Sequence, residues 1–279
     1  MTWSMPKAPV WTAQNQITSI SHQYGYPELC IAAAQDENIF SCFKTFHDYR
    51  HVLEHVKPEQ GQAYYDFVKE NYGESLDSLE ACLVNDKQGK PLLHEYQFGN
   101  WSPTTLRYFK VSLDIQHCFG ETKEMNVLEI GGGYGGQCMV HDNLLGFKSW
   151  TIVDLPEVTK LQKRYLSDIK SDFNATSCYN VEDNNNYDLV ISNYAFSELT
   201  RKYQDKYIDA FMSNEEKIYM TVNFIPQTDQ RFRTMYRKEE LLNRLNLSEF
   251  EEIPNTHPEN VIVMRGNQKE LPNTKDDSQ

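Results

Sequence analysis

The chain has 279 residues, enough for one large domain or a domain with an appendage, and its 17 Tyr and 14 Phe supply ample packing surface. A formal net charge of −13 argues against the wide basic footprint that holds nucleic acid or an anionic membrane through nonspecific charge. Six cysteines without a C-x-x-C pair fit neither a zinc site nor a disulfide framework, and are expected to be reduced thiols.

Up to about residue 120 the pattern is helical, with apolar residues at mixed three- and four-residue spacing around 15–25, 36–56 and 61–72. A polar turn, VNDKQGKP (84–91), precedes the clearest helix, WSPTTLRYFKVSLDIQHCFG. There Ser102 suits the N-cap, Pro103 the first turn and Gly120 the end, while Leu106, Phe109 and Leu113 form one apolar face. No apolar run approaches the ~20 residues that span a bilayer, and MTWSMPKAPVW lacks the basic and apolar parts of a signal peptide. A soluble, cytoplasmic protein without membrane insertion is expected.

After residue 125 short β-rich runs alternate with helical ones: NVLEI, GGQCMVHDNLLG, WTIVD, EVTKLQKRYLSDI, ATSCYN, YDLVIS, YQDKYIDAFM, KIYMTVNF, KEELLNRLN, EFEEIP and NVIVMRG. That alternation predicts an α/β fold, a sheet with helices on both faces. Only PNTHPE separates the last two runs, too little for a parallel crossover, so they are expected to form a terminal antiparallel hairpin. Residues 267–279 are polar and read as a disordered tail.

The stretch NVLEIGGGYGGQ (126–137) joins a strand to a helix through five glycines broken only by Tyr134. Such a turn lets a ligand approach the backbone closely at the first βα unit of a nucleotide-binding sheet. The spacing Gly131-x-Gly133-x-x-Gly136 satisfies the dinucleotide pattern, and Glu129-x-Gly131-x-Gly133-x-Gly135 that of S-adenosylmethionine-dependent methyltransferases. A carboxylate at Glu129 would repel a pyrophosphate, whereas it attracts an ammonium and a sulfonium. Asp154, ending the next strand, suits ribose hydroxyls under either reading. The terminal hairpin also favours the methyl donor. An NAD-linked oxidoreductase and a catalytically silent glycan- or partner-binding module stand as alternatives.

The chain resembles the sugar O-methyltransferase family through SPTTLRY (102–108), EIGGGYGGQ (129–137), IVDLPEV (152–158) and YDLVISNYAFSEL (187–199). The resemblance covers about residues 84–265 and implies a Rossmann-like, seven-stranded methyltransferase sheet. It further implies S-adenosyl-L-methionine as cofactor and a sugar or nucleotide-sugar acceptor, methylated on a hydroxyl by in-line displacement. The change of pattern near residue 120 sets the expected organisation: a helical N-terminal region (1–120) capping the site, a methyltransferase domain (121–266) and a disordered tail (267–279).

Ligands of open α/β sheets lie over the C-terminal strand ends. On that basis Glu129, Gly131, Gly133, Tyr134, Asp154, Leu155, Val181, Ser192 and Arg107 are the candidates for cofactor binding. Tyr134 either closes on the donor or packs on the following helix. Arg107 either pairs with the methionine carboxylate or an acceptor phosphate, or forms a salt bridge. Glu198 is the first candidate to orient or deprotonate the acceptor hydroxyl, its alternative being a helix-start acid behind a Ser197 cap. His257 is the second candidate base. Asn193, Tyr194, Ser197 and Arg201 complete the acceptor side. The fourth strand ends without an acidic pair, and the His47, His51, His55 stripe has no acidic or cysteine partner, so no metal is expected. The Tyr-rich N-terminal region leaves dimerisation open.

Overall fold

The computed structural model describes residues 19–22, 25–169, 174–178, 186–212, 217–224 and 234–272. Seven strands form the main sheet: β1 (Asn126–Ile130), β2 (Ser149–Val153), β3 (Ala175–Cys178), β4 (Leu189–Asn193), β5 (Lys217–Asn223), β6 (Ser248–Glu251) and β7 (Asn260–Arg265). Their spatial order is β3-β2-β1-β4-β5-β7-β6. The first five run parallel, with Val127 opposite Trp150 and Leu189. β7 is antiparallel to both neighbours and enters between β5 and β6, pairing Ile218 with Arg265 and Glu249 with Val263. The fold is therefore Rossmann-like with a terminal antiparallel hairpin, as the sequence predicts. Strand order reverses between β1 and β4, which opens a crevice over their C-terminal ends.

Period-two alternation assigns each strand residue to a face. Val127, Ile152, Leu189, Ile191 and Tyr219 face one core, and Leu128, Ile130, Val153, Val190 and Ile218 the other. On the first face lie α4 (Pro103–Phe119), α5 (Gly136–Leu144) and α6 (Pro156–Ile169). The N-terminal helices α1 (Tyr26–Gln35), α2 (His47–Val52) and α3 (Pro58–Asn71) join the same layer. α7 (Arg201–Tyr207), extended by a π turn over Ile208–Met212, and α8 (Lys238–Leu245) cover the opposite face. One apolar core runs without a break from Tyr26 and Phe43 through Leu106 to Val127 and Met264, so the N-terminal helices and the sheet share their burial.

Three local features depart from the sequence pattern. A ten-residue helix, Tyr26–Gln35, falls between the expected segments 15–25 and 36–56, and the 36–56 region breaks into short pieces. A short ribbon pairs His94–Tyr96 with Gly99–Trp101, between the expected polar turn (84–91) and the helix, where the pattern marks no element. Ser102 holds the N-cap position of α4 without a side-chain cap bond; Asp86 instead accepts from the Ser102 N–H (3.0 Å) and the Thr105 hydroxyl (2.6 Å). Of the expected tail, Gln268 N–H donates to the Cys118 carbonyl and Leu271 sits in the core; residues 273–279 lie outside those described. No helix among the described residues is long and apolar enough to cross a membrane.

Candidate active site

A cavity of about 1000 Å³ opens over the C-terminal ends of β1, β2 and β4. That is the upper end of the range of small-molecule sites, about 300–1,000 Å³. The glycine turn after β1 forms part of its floor through Gly131 and Gly133, both at positive φ (74° and 57°). Glycine at 131 also lets two loops touch: a Cβ there would lie 2.0 Å from the Cβ of Ala195, in the turn after β4. Over Gly133 lies Leu53, whose Cδ1 would stand 2.6 Å from an added Cβ.

Asp154 and Leu155, following β2, line the next wall. The Gly133 N–H donates to Asp154 Oδ2 (3.0 Å), as does Gln162 Nε2 (3.1 Å), and the Leu155 N–H donates to Oδ1 (2.8 Å). The acid thus splints the glycine turn. A carboxylate has about four lone-pair sites, so one acceptor position is left for a ligand. Burial pushes the Asp154 carboxyl up to about 7, although all three donors favour its charged form.

The last residue of β4 and the turn after it supply Asn193, Tyr194 and Glu198. Tyr194 takes a left-handed backbone (φ 66°), uncommon for a bulky residue, and its hydroxyl bonds Glu252 in the β6–β7 loop. Glu198 accepts from the Ser21 hydroxyl (3.1 Å), and burial pushes its carboxyl up to about 7. His257 lies at the rim; its Nδ1 accepts from the Glu259 N–H (3.1 Å), which leaves the neutral ring's proton on Nε2. Arg107, buried in α4, reaches the same cavity.

Five predicted site residues are not on the cavity. Glu129 follows the strand alternation onto the α5 face, where it is 2% exposed beneath Gly132 and accepts from Trp150 Nε1 (2.9 Å). Burial pushes its carboxyl up to about 8, so near neutrality it is largely uncharged. Tyr134 is wholly buried: its hydroxyl accepts from Asn85 Nδ2 (3.0 Å), and the Lys44 ammonium lies 4.1 Å from its ring centre. It neither closes on a ligand nor merely packs on α5, but ties the glycine turn to the N-terminal helices. Ser192 links Ile130 O (2.9 Å) to the Phe196 N–H (3.0 Å), and Ser197 links Tyr194 O (2.7 Å) to the Asn223 N–H (3.2 Å). Both hydroxyls shape the turn, and Ser197 caps no helix. Arg201 pairs with Asp205 (3.0 Å) and Glu240 (2.8 Å), away from the cavity. Val181 lies outside the described residues.

Sequence reasoning missed Ser21, Tyr26, Leu53, His55 and Tyr64, which the N-terminal helices bring to the cavity, and Thr256 and Asn260 beside His257. The N-terminal residues sit in no motif. Thr256 and Asn260 were legible in NTHPEN, since they flank the one histidine of that loop. The rings of His47 and His51 stack 6.2 Å apart. Among the described residues, no group of three or more His, Cys, Asp or Glu is arranged to hold a metal.

No protein-family profile matches the chain, and no curated protein does. Solved structures resemble it in part. The pyocyanin biosynthetic protein PhzM aligns with TM-score 0.43 and 9% identity over 58% of this chain and 56% of its own. A ribosomal protein L11 methylase from Lactobacillus delbrueckii subsp. bulgaricus aligns with TM-score 0.41 and 11% identity, over 64% and 82%. An O-methyltransferase family protein from Burkholderia thailandensis aligns with TM-score 0.38 and 11% identity, over 50% of each chain. The chain thus spans little more than half the length of PhzM. The strand order described above, not these partial likenesses, defines the architecture.

Proposed function

We propose that the protein is an S-adenosylmethionine-dependent methyltransferase that acts on a hydroxyl of a sugar or nucleotide sugar. One observation carries this reading. Four sequence motifs that lie far apart in the chain converge on one cavity: Arg107 from SPTTLRY, Gly131 and Gly133 from the glycine turn, Asp154 from IVDLPEV, and Asn193, Tyr194 and Glu198 from the last.

The residues fit the donor's chemistry. Gly131 and Gly133 present bare backbone, the remaining acceptor position of Asp154 suits a ribose hydroxyl, and Leu53 and Val56 add apolar lining. Bound there, S-adenosylmethionine supplies an electrophilic methyl group. Glu198, with an affinity for protons near neutrality, receives the acceptor's hydroxyl proton on a carboxylate oxygen. Ser21 holds that carboxylate by donating to Oε2, the function of an orienting partner. His257 is the poorer base because the Glu259 N–H occupies Nδ1; through Nε2 it donates to the acceptor. Asn193, Tyr194 and Asn260 add polar groups suited to a polyhydroxylated ligand.

The test is transfer of labelled methyl from S-adenosylmethionine to a panel of nucleotide sugars. Transfer that falls at least about 100-fold in Glu198→Gln supports the reading, within the usual range for general-base removal. Donor binding without transfer to any hydroxyl acceptor would favour the silent binding module instead.

A further inference from the structure

We infer that the acceptor carries an anionic group, a carboxylate or a phosphate, and that Arg107 together with Asn193 receives it. Its assignment to the acceptor, not the donor, rests on the methyl-transfer reading above.

Arg107 is 7% exposed, yet among the described residues no carboxylate lies within ion-pair distance of it. Its guanidinium is flanked by rings, with centroids at 5.5 Å (Tyr108) and 5.6 Å (Tyr194). Among the described residues its buried Nε has no hydrogen-bond partner, and neither has the buried Asn193 Nδ2. Lys110, one turn along the same helix, shows the contrast: it is 3% exposed and pairs with Asp114 at 2.5 Å. An unpaired buried cation is costly, and a planar fork of donors matches a carboxylate or phosphate.

The acid that borders the same small recess does not serve. Glu252 accepts from the Tyr194 hydroxyl, the Thr256 N–H (2.9 Å) and hydroxyl (2.6 Å), and Asn260 Nδ2 (3.2 Å). Both its oxygens accept from neutral donors, and it forms no ion pair with Arg107.

Position separates the acceptor from the donor. Arg107 and Asn193 also line a small recess of about 10 Å³ with Thr221 of β5 and Glu252 and Ile253 of the β6–β7 loop. Gly131, Gly133 and Asp154, on the β1–β2 side, do not border that recess. The unpaired donors therefore lie on the part of the cavity that β5 and the β6–β7 loop border.

The experiment titrates the full chain, with and without S-adenosylhomocysteine, with glucuronic acid, glucose 1-phosphate and glucose. The same titrations are made on Arg107→Met and Arg107→Lys, each checked for folding by its melting temperature. The expected result is at least tenfold tighter binding of one acidic sugar than of glucose, reduced below threefold in Arg107→Met and partly kept in Arg107→Lys. Preference for glucuronic acid identifies a carboxylate, and preference for glucose 1-phosphate a phosphate. Equal affinity for the three sugars, or none measurable, overturns the inference. So does a tenfold loss of S-adenosylhomocysteine affinity in Arg107→Met with 5′-methylthioadenosine affinity unchanged, because Arg107 then serves the methionine carboxylate. Failure of the native chain to bind either thioether would instead overturn the methyl-transfer reading, while the sugar titrations without donor still report on the anion site.

Discussion

The Ser21 hydroxyl donates to the Glu198 carboxylate at 3.1 Å, joining a segment before the first helix to the turn after β4, 177 positions later. Ser21 favours the charged form of an acid that burial pushes up to about 7. The base form of Glu198 fills as pH rises, so kcat/KM should climb between about pH 6 and 8. Glu198→Gln should remove that limb and lower kcat by about 10²–10⁴. In Ser21→Ala the midpoint should move to higher pH, since a bond to the charged form is lost. A pH–rate profile of the three proteins checks this.

Asp154 holds the glycine turn through the Gly133 N–H and retains one acceptor position. Asp154→Ala should weaken S-adenosylhomocysteine binding by about tenfold or more, roughly 1.4 kcal/mol, by calorimetry. Losing the acceptor also leaves the Gly133 and Leu155 N–H groups unpaired, so urea denaturation should show a loss of about 1–3 kcal/mol.

Gly131 and Ala195 touch where the turns after β1 and β4 meet. In Gly131→Ala the new methyl would lie 2.0 Å from the Ala195 Cβ at φ 74°, so stability should fall by about 2 kcal/mol or more, from overpacking and the left-handed backbone. Adding Ala195→Gly should restore part of that loss. Gly133→Ala meets only the flexible end of Leu53 and should cost less. A double-mutant cycle by denaturant melts measures the coupling.

Three acids, Glu129, Asp154 and Glu198, have carboxyls raised by burial to about 8, 7 and 7. A raised folded-state pKa contributes stability that is full below the unfolded value, near 4, and is lost as pH rises through the folded value. The melting temperature should therefore fall between about pH 5 and 8. Glu129→Gln keeps an acceptor for Trp150 Nε1 without an ionisable group, so it should flatten that fall and equal or exceed the native chain at pH 8. Steeper loss in the variant would return Glu129 to a charged role.

Much of the sheet was legible because its strands are short apolar runs bounded by turns, and PNTHPE is too short for anything but a hairpin. The glycine turn and Asp154 were legible as a pair because their spacing fixes consecutive βα units. The place of Glu129 on the α5 face is not legible from its proximity to the glycines along the chain, because the alternation with Val127 decides the strand face. The contacts of Tyr134 are not legible locally because Asn85 and Lys44, which enclose it, lie 49 and 90 positions earlier, with no local pattern linking them. Helix Tyr26–Gln35 escaped notice because CIAAA is small and apolar around its whole circumference and shows no stripe. That helix lines the cavity with Tyr26, Pro27, Glu28 and Ile31.

The most direct measurement is a calorimetric titration of the native chain with S-adenosylhomocysteine and with NADH, repeated on Asp154→Ala. The methyltransferase account predicts micromolar binding of the thioether, about tenfold or more weaker in the variant, and no comparable binding of NADH. Binding of NADH without S-adenosylhomocysteine would contradict it and assign the glycine turn to a dinucleotide.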